Sequence, residues 1–318
     1  MYKVLFLLLL LPCLAAAQQP VVPRDTSFTV HSTYLKVKPN YPFVEKVKPV
    51  LPAGVSTKTD IPYSTIGNRN LHLDIFYPTS KSRNAYPGVL LIHGGGWRSG
   101  NKSHQVPMAQ QLAANGYVAV AVEYRLSLEA PYPAAMHDVK AAVRWMRANA
   151  ATYGLDTTKI AALGCSSGGQ MAALLGTTNG NSRLEGTGGN NSRSSAVQAI
   201  VDIDGILAFK HPESKEGEMA GWWLGGSYEE NPGNWEEASA LTHAGKNTGP
   251  TLFINSMHPH YHAGRDEMIQ KLSKHKIYTE VHTIPDTPHP FWLLHPWFEP
   301  TFQYTLNFLN KTFRKIES

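Results

Sequence analysis

Short apolar runs alternate with amphipathic stretches along most of the chain from about residue 60 to residue 312. Val89-Leu90-Leu91-Ile92 predicts a buried strand, and residues 118–123 predict another. Between and after them, residues 108–115 suit a helix ended by Gly116, and residues 136–149 suit a helix with an apolar stripe through Val139, Val143 and Met146. The alternation continues with a strand running into residues 159–165, a helix from about Gly168 to Leu175, strands over 197–203 and 251–255, a helix over 265–274, a strand over 278–284 and a helical tail within 291–313. Ahead of these, residues 63–66 and 71–77 flank Asn68-Arg69-Asn70 and predict an opening hairpin. Strands alternating with helices imply an α/β fold, a mostly parallel central sheet with helices on both faces.

Three stretches break the pattern. Residues 18–59 carry Pro20, Pro23, Pro39, Pro42, Pro49 and Pro52, which interrupt any long helix or central strand, so an extended N-terminal arm is expected. Residues 177–195 are rich in Gly, Asn and Ser without an apolar period, the composition of a disordered loop insertion. Residues 205–247 place Trp222, Trp223 and Trp235 among glycines and glutamates between two predicted strands, and are expected to form a cap or lid. The folded domain is therefore drawn over residues 60–318 with that insertion inside it.

Residues 1–17 hold Lys3, an apolar run over 4–14 and small residues at Ala15 and Ala17, the layout of a cleavable secretory signal. The run is too short to span a bilayer comfortably, so no stable membrane insertion is expected after cleavage, and the protein is expected to be secreted or periplasmic. Leu11-Pro12-Cys13 lacks the small residue that precedes a lipidated cysteine. Cleavage after Ala17 would leave Cys165 alone, which excludes an internal disulfide and makes the core responsible for stability. The formal charge of +5 comes without a clustered Lys/Arg run, so nucleic acid is not an expected partner.

The chemistry centres on Gly164-Cys165-Ser166-Ser167-Gly168, which follows a strand pattern and opens a helix. A serine on a strained strand-to-helix turn exposes its hydroxyl, and flanking glycines let two backbones pass without Cβ clashes. Ser166 is the candidate nucleophile. The run ending at Ile92 empties into His93-Gly94-Gly95-Gly96-Trp97, whose glycines can turn N–H groups toward a developing oxyanion. Pro285-Asp286-Thr287-Pro288-His289 places a histidine on a loop beyond the last predicted strand, where a general base belongs. With Glu123-Tyr124-Arg125-Leu126, Tyr132-Pro133-Ala134-Ala135 and His137-Asp138, these motifs resemble the α/β-hydrolase superfamily. The branch is that of esterases with a His-Gly-Gly-Gly-Trp oxyanion loop, which includes carbohydrate, feruloyl and hormone-sensitive-lipase-like esterases. The resemblance implies the α/β-hydrolase fold, catalysis by Ser166 and His289 with an acid, an oxyanion hole built from the N–H groups of Gly95, Gly96 and Ser167, and no cofactor.

The acid departs from the family pattern. It usually follows the penultimate strand, but Ser256-Met257-His258-Pro259-His260-Tyr261-His262 holds no carboxylate. Asp266 and Glu267 come next, at the start of a predicted helix, where an acid commonly serves the helix dipole. Some lipases of the superfamily take the acid from the end of the preceding strand, the place of Asp204, which is the preferred candidate. Asp266 is the alternative acid, and a dyad or Asp202, facing the same side but deeper, is a further option. His258, His260 and His262 raise a metal site, but Pro259 breaks their regularity and no other ligand is tied to them, so no metal is expected. Trp97, Trp222, Trp223, Trp292 and Arg265 are candidate substrate contacts; for any single tryptophan of the insert, packing against the sheet is the preferred account.

The expected function is an exported serine esterase cleaving acyl or methyl esters, with plant polysaccharide such as xylan or pectin as the favoured substrate. A lipase or short-chain carboxylesterase is the enzymatic alternative. A non-catalytic binding protein that keeps the fold is the alternative from another class.

Overall fold

The computed structural model describes residues 25–80, 85–215 and 217–314. The predicted secretory signal lies outside the described residues. Eight strands form the central sheet: β2 (Val55–Ile66), β3 (Arg69–Pro78), β4 (Tyr86–Ile92), β5 (Val118–Val122), β6 (Leu155–Cys165), β7 (Ala199–Ile203), β8 (Thr251–Asn255) and β9 (Thr279–Thr283). Their order is β2-β3-β5-β4-β6-β7-β8-β9. The β2–β3 hairpin and the β3–β5 pair are antiparallel, and every other neighbour is parallel. A short pair, β1 (Glu45–Lys46) with β10 (Leu294–His295), lies outside that sheet.

The ten α-helices among the described residues are α1 (Val30–Val37), α2 (Val106–Ala114), α3 (Ala134–Ala148), α4 (Ala150–Tyr153), α5 (Ser167–Thr177), α6 (Gly217–Leu224), α7 (Pro232–Glu237), α8 (Ala240–His243), α9 (Arg265–Lys274) and α10 (Phe298–Phe313). The period of two in each strand divides the core into two layers. Val89 and Leu91 of β4 pack with apolar residues of α2 and α10 on one face. Leu90 and Ile92 pack with those of α3, α5 and α9 on the other. Burial on both faces explains why β5 reads Val-Ala-Val-Ala-Val with no polar position.

Two expectations are corrected. The N-terminal arm is not simply extended, because α1 forms in the proline-free window between Pro23 and Pro39. Thr29 caps it: its side chain accepts from the Ser32 N–H at 2.9 Å while Ser32 Oγ accepts from the Thr29 N–H at 2.9 Å. The prolines bound the helix rather than prevent it. Residues 177–195 are irregular as expected but are anchored to the fold, with Leu184 and Ser195 buried. The Glu185 carboxylate accepts from buried Lys140 Nζ at 3.2 Å, Arg144 at 3.0 Å and Ser195 Oγ at 2.7 Å. An ionic anchor of this kind leaves no apolar period in the sequence.

Candidate active site

Ser166 sits between β6 and α5 at φ 55° and ψ −124°, a region costly for a residue with a Cβ. The surroundings hold it there. Its N–H donates to Ile203 O at 2.8 Å, and its carbonyl accepts from the Gln170 N–H at 3.0 Å. The turn demands glycine on both sides: a Cβ on Gly164 would stand 1.9 Å from Gly168 O, and one on Gly168 would stand 2.2 Å from Ile92 O.

The loop after β9 brings His289 to the half-buried Ser166, with Nε2 2.8 Å from Ser166 Oγ. His289 Nδ1 lies 3.0 Å from Asp204 Oδ2. Asp204 follows β7 at φ 50°, donates its own N–H to Ile254 O at 3.0 Å, and accepts the Ser256 N–H on Oδ1 at 2.8 Å. His262 Nδ1 approaches the same Oδ1 at 3.7 Å. Burial alone would raise the Asp204 pKa, but the His262 and His289 imidazoles and the Ser256 side chain outweigh it and bring it down to about 2. The carboxylate is therefore ionised across the neutral range, and His289 Nδ1 must carry the proton that it accepts. Nε2 is then left to accept the Ser166 hydroxyl proton. This is the tautomer a general base needs.

Asp202 and Asp266 are placed elsewhere. The positive φ of Asp204 ends the strand alternation, so Asp202 does not share its direction as expected. Asp202 Oδ1 instead accepts the Gly205 N–H at 2.8 Å against Gly169 of α5, and burial pushes its pKa well up. Asp266 lies in the first turn of α9 with 70% of its side chain exposed, paired to Arg265 at 2.8 Å. Neither touches His289 in the observed hydrogen bonds, which corrects Asp266 as the alternative acid.

The glycine loop packs directly on the elbow, since a Cβ on Gly94 would meet Cys165 O at 2.7 Å and Ser166 Cβ at 3.1 Å. Gly95 and Gly96 take φ values of 130° and 60°. Among the described residues no backbone acceptor takes the N–H of Gly95, Gly96 or Ser167. Ser167 opens α5, where a helix leaves its first N–H groups unsatisfied. His93 supports this loop from within: it is fully buried, stacks on Tyr124 at 4.4 Å, and its carbonyl accepts the Tyr124 hydroxyl at 2.8 Å. Cys165 is buried beside the elbow, and desolvation raises its thiol far above the range of a reactive thiolate.

Most of the expected substrate contacts are packed instead. Trp97 and Trp223, at 2% and 0% exposed, stack on each other with centroids 5.2 Å apart. Trp97 Nε1 also donates to Gln170 Oε1 at 2.9 Å, and Gln170 donates to Ala238 O at 2.8 Å, so the indole ties the glycine loop to α5 and the cap. Trp292 is buried edge-on to His289 at 5.2 Å. Arg265 is spent on Asn255 Oδ1 at 2.9 Å and on Asp266. Only Trp222 presents an open ring, 43% exposed with the Arg98 guanidinium 4.3 Å from its centre. Sequence reasoning did not single out Tyr261, which stacks on the His289 imidazole at 3.5 Å and 15°. The only signal was its place in the His-rich loop after β8.

Two cavities flank these groups. One of about 490 Å³ is bounded by Tyr261, Pro288, His289 and Pro290 and by residues of the N-terminal arm. The other, about 950 Å³, lies in the cap around Trp222, Tyr228 and Trp235 and is bounded by neither Ser166 nor His289. Among the described residues no group of three or more His, Cys, Asp or Glu is arranged to hold a metal ion, and no helix is long and apolar enough to cross a membrane.

The BD-FAE family model matches residues 73–269, from β3 through the elbow and cap into α9. The chain belongs to the BD-FAE family. This BD-FAE protein is 31% identical over 248 residues to the probable carboxylic ester hydrolase LipM of Mycobacterium tuberculosis, covering 74% of this chain and 56% of LipM. It spans about half the length of the curated relatives it matches. Among solved structures, a truncated carbohydrate esterase from gut microbiota superposes with a TM-score of 0.71 at 24% identity, covering 84% of this chain and 99% of that one. A bifunctional GH43-CE protein of Bacteroides eggerthii superposes with a TM-score of 0.69 at 27% identity over 80% of this chain and 38% of its own. The fold is that of the α/β-hydrolases, as the sequence motifs implied.

Proposed function

We propose that this protein is an exported serine esterase that hydrolyses acyl or methyl esters on plant polysaccharide, with Ser166 as nucleophile, His289 as general base and Asp204 as acid. The observation that carries the reading is the unbroken hydrogen-bond chain from Ser166 Oγ through His289 to Asp204, at 2.8 Å and 3.0 Å. Ser166 Oγ attacks the ester carbonyl while His289 Nε2 takes its proton. The N–H groups of Gly95, Gly96 and Ser167 receive the charge that develops on the carbonyl oxygen. His289 then returns the proton to the departing alkoxide. Water attacks the acyl carbon and gives a proton to His289, which returns it to Ser166 Oγ as the acid leaves. Asp204 keeps the tautomer and stabilises the imidazolium in both halves of the cycle. The names of LipM and of the carbohydrate esterase structures support the ester and the sugar, and residues 1–17 support export.

A general short-chain carboxylesterase is the second reading. The burial of Trp97 and Trp223 favours it, because it removes two aromatic faces a sugar could stack on. The test is turnover of p-nitrophenyl acetate and butyrate beside acetylated xylan and pectin, for wild type and Ser166→Ala. Wild-type release of acetate from a polysaccharide, lost by about 10⁴-fold or more in Ser166→Ala, is the expected result. Activity confined to the small esters would select the second reading, and no turnover at all would remove both.

A further inference from the structure

The cavity on His289 is walled on one side by the loop that carries the imidazole and on the other by the N-terminal arm. Phe28, Ser32, Thr33, Lys36, Asn40 and Tyr41 supply the arm's side. The arm is fixed at both ends of this wall. Before α1, Asp25 forms an ion pair with Arg98 at 3.0 Å and bridges to Ser99, just beyond the glycine loop. After α1, Tyr41 packs edge-on to Trp297 at 5.2 Å, and β1 pairs with β10. These anchors make the wall part of the site rather than a passing tail.

The identity of the occupant follows from the chemistry of His289. In ester cleavage the imidazole hands its proton to the departing alkoxide, so the alcohol portion must lie within hydrogen-bond reach of that ring. A cavity bounded by His289 is placed to hold the alcohol. Its lining sets the hydroxyls of Ser27, Ser32, Thr33 and Tyr41 and the Asn40 amide among apolar side chains, contains no carboxylate, and has Lys36 as its one ammonium. The cap cavity differs, with Glu218, Glu229 and Glu230 beside Lys210 in its wall. Hydroxyls suit a polyhydroxylated ring, and a lone ammonium without a competing acid suits a carboxylate on that ring.

We propose that α1 forms the alcohol subsite and that Lys36 recognises a carboxylate on the sugar, so that the preferred substrate is an acyl ester of a uronic-acid-bearing glycan. The proposal rests on the esterase reading above and deepens it. Lys36 is an exposed residue of the last turn of α1, so its replacement leaves the core intact.

The experiment measures kcat/KM of the full chain on acetylated polygalacturonate and on acetylated glucomannan, an uncharged polymer. The variants are Lys36→Ala, Lys36→Glu and Lys36→Arg, with wild-type p-nitrophenyl acetate turnover as the check on the chemistry. The polygalacturonate-to-glucomannan ratio is expected to fall about threefold in Lys36→Ala and about tenfold in Lys36→Glu, mainly through KM, and to be held by Lys36→Arg. Added salt should shrink the wild-type preference, since the contact is solvent-facing. A wild type that cleaves p-nitrophenyl acetate while the ratio stays the same across the variants overturns the subsite alone. A wild type that cleaves no ester overturns the esterase reading and the subsite with it.

Discussion

Asp202 and Asp204, at 0% and 1% exposed, stand two residues apart at the same end of β7, one toward α5 and the other toward the His289 loop. On the α5 side a single N–H, from Gly205, reaches the carboxyl group, and Asp202 Oδ2 has no hydrogen-bond partner among the described residues. Desolvation therefore dominates and drives the pKa up. On the other side two imidazoles and the Ser256 side chain meet Asp204, and the same desolvation is overcome. The lesson is that burial does not decide the charge of a carboxyl group at this site. What decides it is how many donors surround the group, and the positive φ at Asp204 turns its carboxyl toward those on the loops after β8 and β9.

The comparison is broken most severely at Asp204 itself. Asp204→Asn keeps the shape but takes away the charge that fixes the His289 tautomer, and kcat on p-nitrophenyl acetate should fall by about 10³- to 10⁴-fold. Asp202→Asn should lower it by less than about tenfold, because that side chain does not reach His289. Equal losses would mean that the two sides of β7 are not distinct.

Stability against pH separates the two carboxyl groups by sign. Asp204 has a folded pKa of about 2, below its ordinary value of 3.8, so its contribution is fully present above the unfolded pKa and is lost as pH falls toward 2. That difference is worth about 2 kcal/mol. Asp202 has a raised folded pKa, so it costs nothing in acid and destabilises the fold as pH climbs above the unfolded value. Urea unfolding should show Asp204→Asn weaker than wild type by about 2 kcal/mol at pH 7, with the gap closing as the pH is lowered through 3. Asp202→Asn should be at least as stable as wild type at pH 7, with any advantage shrinking toward pH 4.

Packing on the α5 side gives an effect of similar size. A Cβ on Gly169 would stand 2.3 Å from Asp202 Oδ1 and 3.1 Å from Gly205 Cα, so Gly169→Ala should destabilise by about 1–3 kcal/mol in urea unfolding. The smallest effect belongs to His262. Its 3.7 Å approach supplements the Ser256 N–H, and His262→Ala should lower kcat only about threefold.

The sheet and the elbow were legible because their signals are local. Four apolar residues before a glycine loop, and a serine flanked by glycines between a strand and a helix, each state their own geometry. Asp204 was legible through chain order and the glycine after it, although its turn out of the strand was not. The arm helix was obscured by weighing prolines across a long stretch, when the capping pair Thr29 and Ser32 inside a proline-free window carried the signal. Trp97 was misplaced, because an aromatic ring looks the same in a sequence whether it meets a sugar or another indole; Trp223 packs, as was preferred for a single tryptophan of the insert. The stacking of Tyr261 on His289 joins two loops that no motif links.

The most direct test of the account is whether Ser166, His289 and Asp204 act as one unit. It is a comparison of kcat/KM on p-nitrophenyl acetate for Ser166→Ala, Asp204→Asn and the double variant, each confirmed to be folded. The account predicts that the double variant is no slower than Ser166→Ala alone, since Asp204 works only through the serine that His289 activates. Losses that multiply, or a Ser166→Ala variant that keeps wild-type turnover, would contradict it.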